Sequence, residues 1–224
     1  MTPISGVVSS VDYIAATHYD EDHIGRMENV YQLVPLPPTA IAYDRGEFHS
    51  VPSTFAYSDY AYGTSFFNRT TATVCQVIDL GGGVTARIVT VNGEVCGASS
   101  VDITGSGQFE NSASVSVVVE YGDVDVWIGG DLTGNIDKGV SNVEEPAGPD
   151  TSDVDVYTFN HHGSESSSIA PFLDTLKAEV GINQNSASNN FGHPRAVVVD
   201  LKAAGLLGRA GPGVTLVNSS KYGH

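Results

Sequence analysis

Nine residues, Thr17-His-Tyr-Asp-Glu-Asp-His-Ile-Gly25, constrain this chain more than any other stretch. His18, Asp20, Asp22 and His23 crowd together directly after the mostly apolar run Val11–Ala16, which reads as a doubly buried strand. Beyond them Ile24, Met27 and Tyr31 recur at i, i+3 and i+7, the apolar stripe of a helix. Two imidazoles and two carboxylates therefore sit where a strand ends and a helix begins. These are the ligands that divalent Zn, Mn or Fe prefer, and four on one short loop converge on an ion without help from distant sequence. A merely solvated loop would carry charge as well, but not Asp and His alternating at this density.

The same event recurs twice. Val115–Glu120 and Val124–Ile128 read as a hairpin, and the second strand runs into Gly129-Gly130-Asp131. Val154–Phe159 reads as another strand and ends on Asn160-His161-His162-Gly163-Ser164. One polar residue after a strand is unremarkable, and a lone Gly-Asp equally marks an N-cap. Three ligand-rich loops at strand ends argue for one shared site, because α/β folds build sites where strands end on one side of a sheet.

The intervening sequence is less informative. The first helix should stop before Pro35-Leu36-Pro37-Pro38, and Ile41–Tyr43 reads as a short parallel strand. From Asp44 to Thr71 there is no clean periodicity, only Tyr, Ser and Phe in abundance, and the segment reads as a lid-like insertion. Asn135–Asp153 is acidic with Pro and Gly, a solvated loop. Ile169, Phe172, Leu173 and Leu176 mark a helix, Val180–Asn183 a strand and Gln184–His193 a polar loop. Pro194 opens a helix to about Leu206, and Val214–Val217 reads as a closing strand.

The chain has 224 residues, enough for one domain with a real core, and no apolar run near the roughly 20 residues of a membrane span. Met1–Val11 lacks the charged start and apolar stretch of a signal peptide. Ten Lys and Arg against 26 Asp and Glu give a formal charge of −16. That argues against sequence-independent gripping of nucleic acid, which depends on cations neutralising phosphates. It leaves open a single small-molecule or phosphodiester substrate at a site where bound metal reverses the local field. Scarce Lys with abundant Ser, Thr and Gly leans towards an extracytoplasmic protein. Cys75 and Cys96 flank what reads as a three-strand meander, whose outer strands would lie about 9.6 Å apart. A bridge has a reach of roughly 7 Å between Cα atoms, so it requires that the third strand leave the sheet.

Together with Asn189-Asn190-Phe191-Gly192-His193-Pro194, the three loops resemble, in order, the motifs of the metallo-β-lactamase superfamily. The first loop is similar to its H-x-H-x-D-H signature in the variant form H-x-D-x-D-H-x-G, typical of the hydrolase domain of ComEC-type DNA-uptake proteins and their soluble relatives. The resemblance spans about Val11 to Pro194. It implies an α/β fold, an αββα sandwich comprising residues 1–224 as one domain, and a hydrolase using metal-activated hydroxide. It implies one or two Zn or Mn ions. Asp22, His23, Asp131 and His161 would form the better-defined site, and His18, Asp20 and the bridging Asp131 the second. Asp22, His162 and His193 would be the catalytic groups, the two histidines meeting the oxyanion or protonating the leaving group, with Ser164 orienting a phosphoryl oxygen.

Two departures bear on substrate. Asp20 stands where the second histidine of the signature falls, and no further histidine but His49 lies between His23 and His161; Asn111 is near the usual place of the missing one. The second site is therefore harder and richer in oxygen, favouring Mn and phosphodiesters over a β-lactam, lactone or thioester. A non-catalytic metal-binding module is the remaining alternative. The family also carries a block of strands, with an Asp-Gly-Gly, before its first histidine loop. Only 17 residues precede His18 here, so the resemblance implies an N-terminally shortened form lacking those strands.

Overall fold

The computed structural model describes residues 10–34, 36–151, 153–186, 189–201 and 215–218. The chain divides into two compact units, Met1–Ala72 and Thr73–Gly223. Among the described residues no helix is long and apolar enough to cross a membrane.

The first unit is built on a parallel sheet of β1 (Tyr13–Ala15), β2 (Ile41–Asp44) and β3 (Asn68–Thr71), with β2 in the middle. The strand before the first histidine loop is thus present, but it is not doubly buried: Tyr13 and Ala15 are exposed. The cause is position, since among the described residues β1 pairs only with β2 and forms an edge. The helix expected after it is two short ones, α1 (Glu21–Ile24) and α2 (Met27–Leu33). The break falls at Gly25, where a side chain would meet the Glu21 carbonyl oxygen at 2.2 Å, and at Arg26, whose φ is +64°.

The segment read as an aperiodic insertion instead holds α3 (Phe55–Thr64) and the strand β3. Thr54 caps α3, its hydroxyl accepting from the Tyr57 amide at 3.2 Å. No apolar stripe betrays this helix, because its aromatics point both ways. Tyr57 and Tyr60 are buried with Tyr19 and Ile24 in the unit's core, while Phe55 and Tyr62 face solvent.

The second unit is an eight-stranded mixed sheet. In spatial order it runs β11 (Thr215–Asn218), β10 (Val180–Asn183), β9 (Val156–Thr158), β8 (Val124–Ile128), β7 (Ser116–Tyr121), β5 (Val84–Val91) and β4 (Val77–Gly81). Strands β4 to β8 pair antiparallel and β8 to β11 parallel. The parallel set therefore ends on one side, and Asp131, the paired histidines and the Gln184–His193 loop all follow those ends. Trp127 on β8 packs edge-on to Phe172 of α6 (Ala170–Leu176), with ring centroids 5.3 Å apart, at the centre of the core. Helix α4 is Phe109–Ser112, and α7 is described over Ala196–Leu201; its expected extension to Leu206, like the chain before Ser10, lies outside the described residues.

Two expectations about this unit are overturned, the solvated acidic loop and the flat three-strand meander. The acidic stretch 135–153 is not simply a solvated loop: it contains α5 (Glu144–Ala147), whose Glu144 is fully buried. The Cys75–Cys96 pair is bridged, with Cα atoms 5.0 Å apart. The meander reading fails because β6 (Glu94–Val95) does not lie across β5 from β4. Thr90 of β5 pairs with β7 on one side and with β6 on the other, the edge that β4 also occupies further along. Cys75 and Cys96 consequently donate to the neighbouring carbonyls of Ile88 and Val89 on that one edge.

Candidate metal centre

In the first unit the Thr17 hydroxyl lies 3.1 Å from Nδ1 of His18 and 3.2 Å from Nδ1 of His23. Both imidazoles are thereby turned to present Nε2 elsewhere, and their ring centroids are 4.0 Å apart. Nε2 of His18 lies 3.5 Å from an Asp20 carboxylate oxygen, and Nε2 of His23 lies 3.8 Å from one of Asp22. His18 is buried, whereas the side chains of Asp20 and Asp22 are 46% and 66% exposed. Tyr19, between the candidate ligands His18 and Asp20, is pinned in the core: its hydroxyl donates to the Gly46 carbonyl at 3.1 Å and accepts from Arg69 at 3.1 Å. Burial, then the nearby Asp44 carboxylate, pushes its pKa far up, so the phenol stays neutral.

In the second unit Asp131 is buried and faces both paired histidines. Its two carboxylate oxygens lie 3.6 Å from Nε2 of His161 and 3.6 Å from Nε2 of His162, one oxygen to each. Both histidines adopt left-handed backbone, φ +49° and +53°, a conformation rare outside glycine that turns two consecutive side chains to the same group. The ring of His162 is fixed by Nδ1–H donating to the Gln184 carbonyl at the end of β10. The ring of His161 has Nδ1 2.9 Å from the Ser166 hydroxyl, with the Asn111 amide 3.2 Å from its Nε2. His193 stacks edge-on to His161 at 5.6 Å between centroids. Burial, followed by the charge of His161, Arg195 and His162, holds its pKa below the usual histidine value. Its backbone is clamped, donating to Asn189 and accepting from Asn189 and Asn185.

The expected ligands fall into two groups, one per unit: His18, Asp20, Asp22 and His23 in the first, Asp131, His161 and His162 in the second. Ser164 is not open to a ligand. It is buried and its hydroxyl bonds to that of Ser166 at 3.0 Å, so Ser166 is the serine at the histidines.

Sequence reasoning missed what holds the second loop. Asn160 accepts from the Trp127 indole at 2.9 Å and donates to the Glu144 carboxylate at 2.6 Å. Glu144 also accepts from the amides of Ser168 at 2.6 Å and Ile169 at 2.9 Å. Burial pushes its pKa up to about 7 against these donors, which pull it down. The two motifs interlock further, His161 N–H donating to the Gly130 carbonyl at 3.0 Å. Gly129 is required by the same contact, since a side chain there would lie 1.9 Å from the Asn160 carbonyl oxygen.

No family model and no curated protein sequence matches the chain. Solved structures do. A protein from Parabacteroides distasonis, assigned by inference as a metal-dependent hydrolase, superposes at a TM-score of 0.54 with 10% identity, over 95% of this chain and 79% of that one. CmlA, a di-iron β-hydroxylase from Streptomyces venezuelae, superposes at 0.55 with 11% identity, over 94% of this chain and 44% of its own. YhfI, a metallo-β-lactamase-fold protein from Bacillus subtilis, gives 0.44 and 12%, over 81% of this chain and 65% of that one. The α/β fold is thus shared with the Parabacteroides distasonis protein and with CmlA.

Proposed function

We propose that the chain is a metal-dependent hydrolase that uses Zn or Mn, its candidate ligands being His18, Asp20, Asp22 and His23 in the first unit and Asp131 with one histidine of the His161–His162 pair in the second. One observation carries this reading. The four imidazole–carboxylate separations, 3.5 to 3.8 Å, are too long for hydrogen bonds. They approximate the distance between two ligand atoms of one tetrahedral ion, about 3.4 Å for bonds of about 2.0–2.1 Å. The donor set, imidazole and carboxylate without thiolate, suits Zn, Mn or Fe.

His162 is favoured over His161 as ligand, the reverse of the assignment from sequence order. A backbone carbonyl can only accept, so Nδ1 of His162 carries the proton and Nε2 keeps its lone pair, the arrangement usual in metal-binding histidines. The Ser166 hydroxyl both donates and accepts, so it leaves the tautomer of His161 open. His161 and His193 then remain to bind the substrate's oxygen and pass a proton to the leaving group. A divalent ion held at these residues would supply Lewis acidity and a hydroxide at neutral pH.

The preferred substrate is a phosphodiester, as the ComEC-type variant of the motif and the oxygen-rich first loop suggest. The disulfide adds support for an oxidising, extracytoplasmic setting. The test is a panel of an activated phosphodiester, a chromogenic cephalosporin and a lactone, each with Zn- and Mn-loaded protein. Faster cephalosporin or lactone turnover would reverse the order of substrates; metal binding without any turnover would leave a metal-binding module.

A further inference from the structure

We propose that Glu144 is a positioning residue for the paired-histidine turn, acting through Asn160. The carboxylate is buried, and no lysine or arginine among the described residues pairs with it. What it meets are three N–H donors: the Ser168 and Ile169 amides and the Asn160 side chain. An isolated buried carboxylate is costly and is kept only where donors are fixed around it. A salt-bridged or apolar residue would serve packing equally well here, and neither would fix an amide.

Asn160 shows what is gained. Its carbonyl oxygen faces the Trp127 indole N–H and its NH2 faces Glu144, so the amide has one orientation. Its own backbone N–H donates to the Tyr157 hydroxyl at 3.1 Å. The next two residues are the left-handed histidines, a backbone that persists only where its surroundings over-determine it. Glu144 therefore touches no ligand, yet closes the set of hydrogen bonds from which the turn starts. The α5 helix that brings it there lies in a stretch otherwise remote in sequence from every motif.

The expected effect on metal affinity rests on the metal-hydrolase reading above; the effect on the imidazoles does not. Glu144→Gln keeps the shape but cannot accept at both ends, so its amide nitrogen must face a donor. Asn160→Ala cuts the link while leaving Glu144 its two backbone donors. Each variant should weaken zinc binding, read by chelator competition, by about 10-fold, the lower end of what loss of a ligand's supporting contact costs. The two losses should not add in the double variant, because they break one chain of contacts. Phe172→Leu, which loosens the core packing against the Trp127 ring without removing any of these hydrogen bonds, should lower Tm with zinc affinity unchanged. In metal-free protein, long-range 1H–15N spectra should show His162 as one tautomer in the wild type and as a mixture in both variants. Unchanged imidazole signals in both variants, with Tm lowered as in Phe172→Leu, would overturn the proposal and reduce Glu144 to a core residue. Wild-type protein that binds no zinc, with imidazole signals that still respond, would sink the metal reading and leave the positioning role standing.

Discussion

The two histidine loops are held by opposite means. In the first unit the anchor is Tyr19, and what holds it is paired charge. Arg69 reaches Asp44 at 2.6 Å, Glu47 at 2.9 Å and the Tyr19 hydroxyl, while the Arg45 guanidinium stacks 4.4 Å over the Tyr19 ring. In the second unit the anchor is Asn160, and what holds it is a single carboxylate surrounded by neutral donors. Paired charge keeps its ionisation across ordinary pH but depends on every partner. An unpaired carboxylate tolerates its surroundings only by titrating near neutrality. Two ligand loops of similar composition can therefore respond to different insults, one to lost partners and the other to pH.

The sharpest way to break this comparison is to remove Arg69. Asp44 is buried, with Tyr60 and the Gly46 amide as its other donors, and Arg69→Leu would leave it without a cation. Loss of one partner from a buried pair costs about 3–5 kcal/mol, which a urea melt should read. Lysine should not rescue, because it cannot reproduce the fork to Asp44, Glu47 and Tyr19.

The second effect concerns pH. The folded pKa of Glu144, about 7, lies above its ordinary value of 4.5. A raised carboxylate stabilises the fold fully below the unfolded pKa, and that contribution is lost as pH rises through the folded one. Between about pH 4.5 and 7 the change is on the order of 3 kcal/mol, at about 1.4 per pKa unit. The difference in stability between wild type and Glu144→Gln should carry this slope, and a difference flat with pH would remove the contrast between the loops.

A third test separates the units. Only the second is stapled, and closing a loop of 21 residues is worth about 3 kcal/mol or somewhat less in practice. Cys75→Ser/Cys96→Ser should lower the stability of the second unit while leaving exchange protection of the Tyr19 core unchanged. The smallest effect belongs to Glu47. Its hydrogen bond from Tyr57, then Arg69, lowers its pKa, so its contribution is present at neutral pH and fades in acid. Being more than half exposed, it should cost less than about 1 kcal/mol as Glu47→Gln.

The histidine loops were legible in the sequence because they concentrate residue types that bind metals at strand ends. The strands around them, β2, β8, β9 and β10, were legible as short apolar runs. What supports the loops was not. Glu144 sits among Glu145, Asp150 and Asp153, and nothing local distinguishes the one buried carboxylate from solvated neighbours. Helix α3 was hidden because Tyr57 and Tyr60 face the core while Phe55 and Tyr62 face water, which erases the period. The disulfide was withheld by a topological choice, β4 and β6 sharing one edge of β5, that no local pattern encodes. Local chemistry announces ligands; the contacts that aim them are made at long range.

The central claim is that Asp131 and His162 hold a divalent ion. The most direct measurement is elemental analysis of protein prepared without chelator, beside Asp131→Asn and His162→Ala variants whose folding is verified by circular dichroism. Wild type should retain at least one equivalent of Zn or Mn, each variant should lose most of it, and added metal should raise the wild-type Tm alone. Wild-type protein with no bound metal and no rise in Tm on adding Zn or Mn would contradict the account.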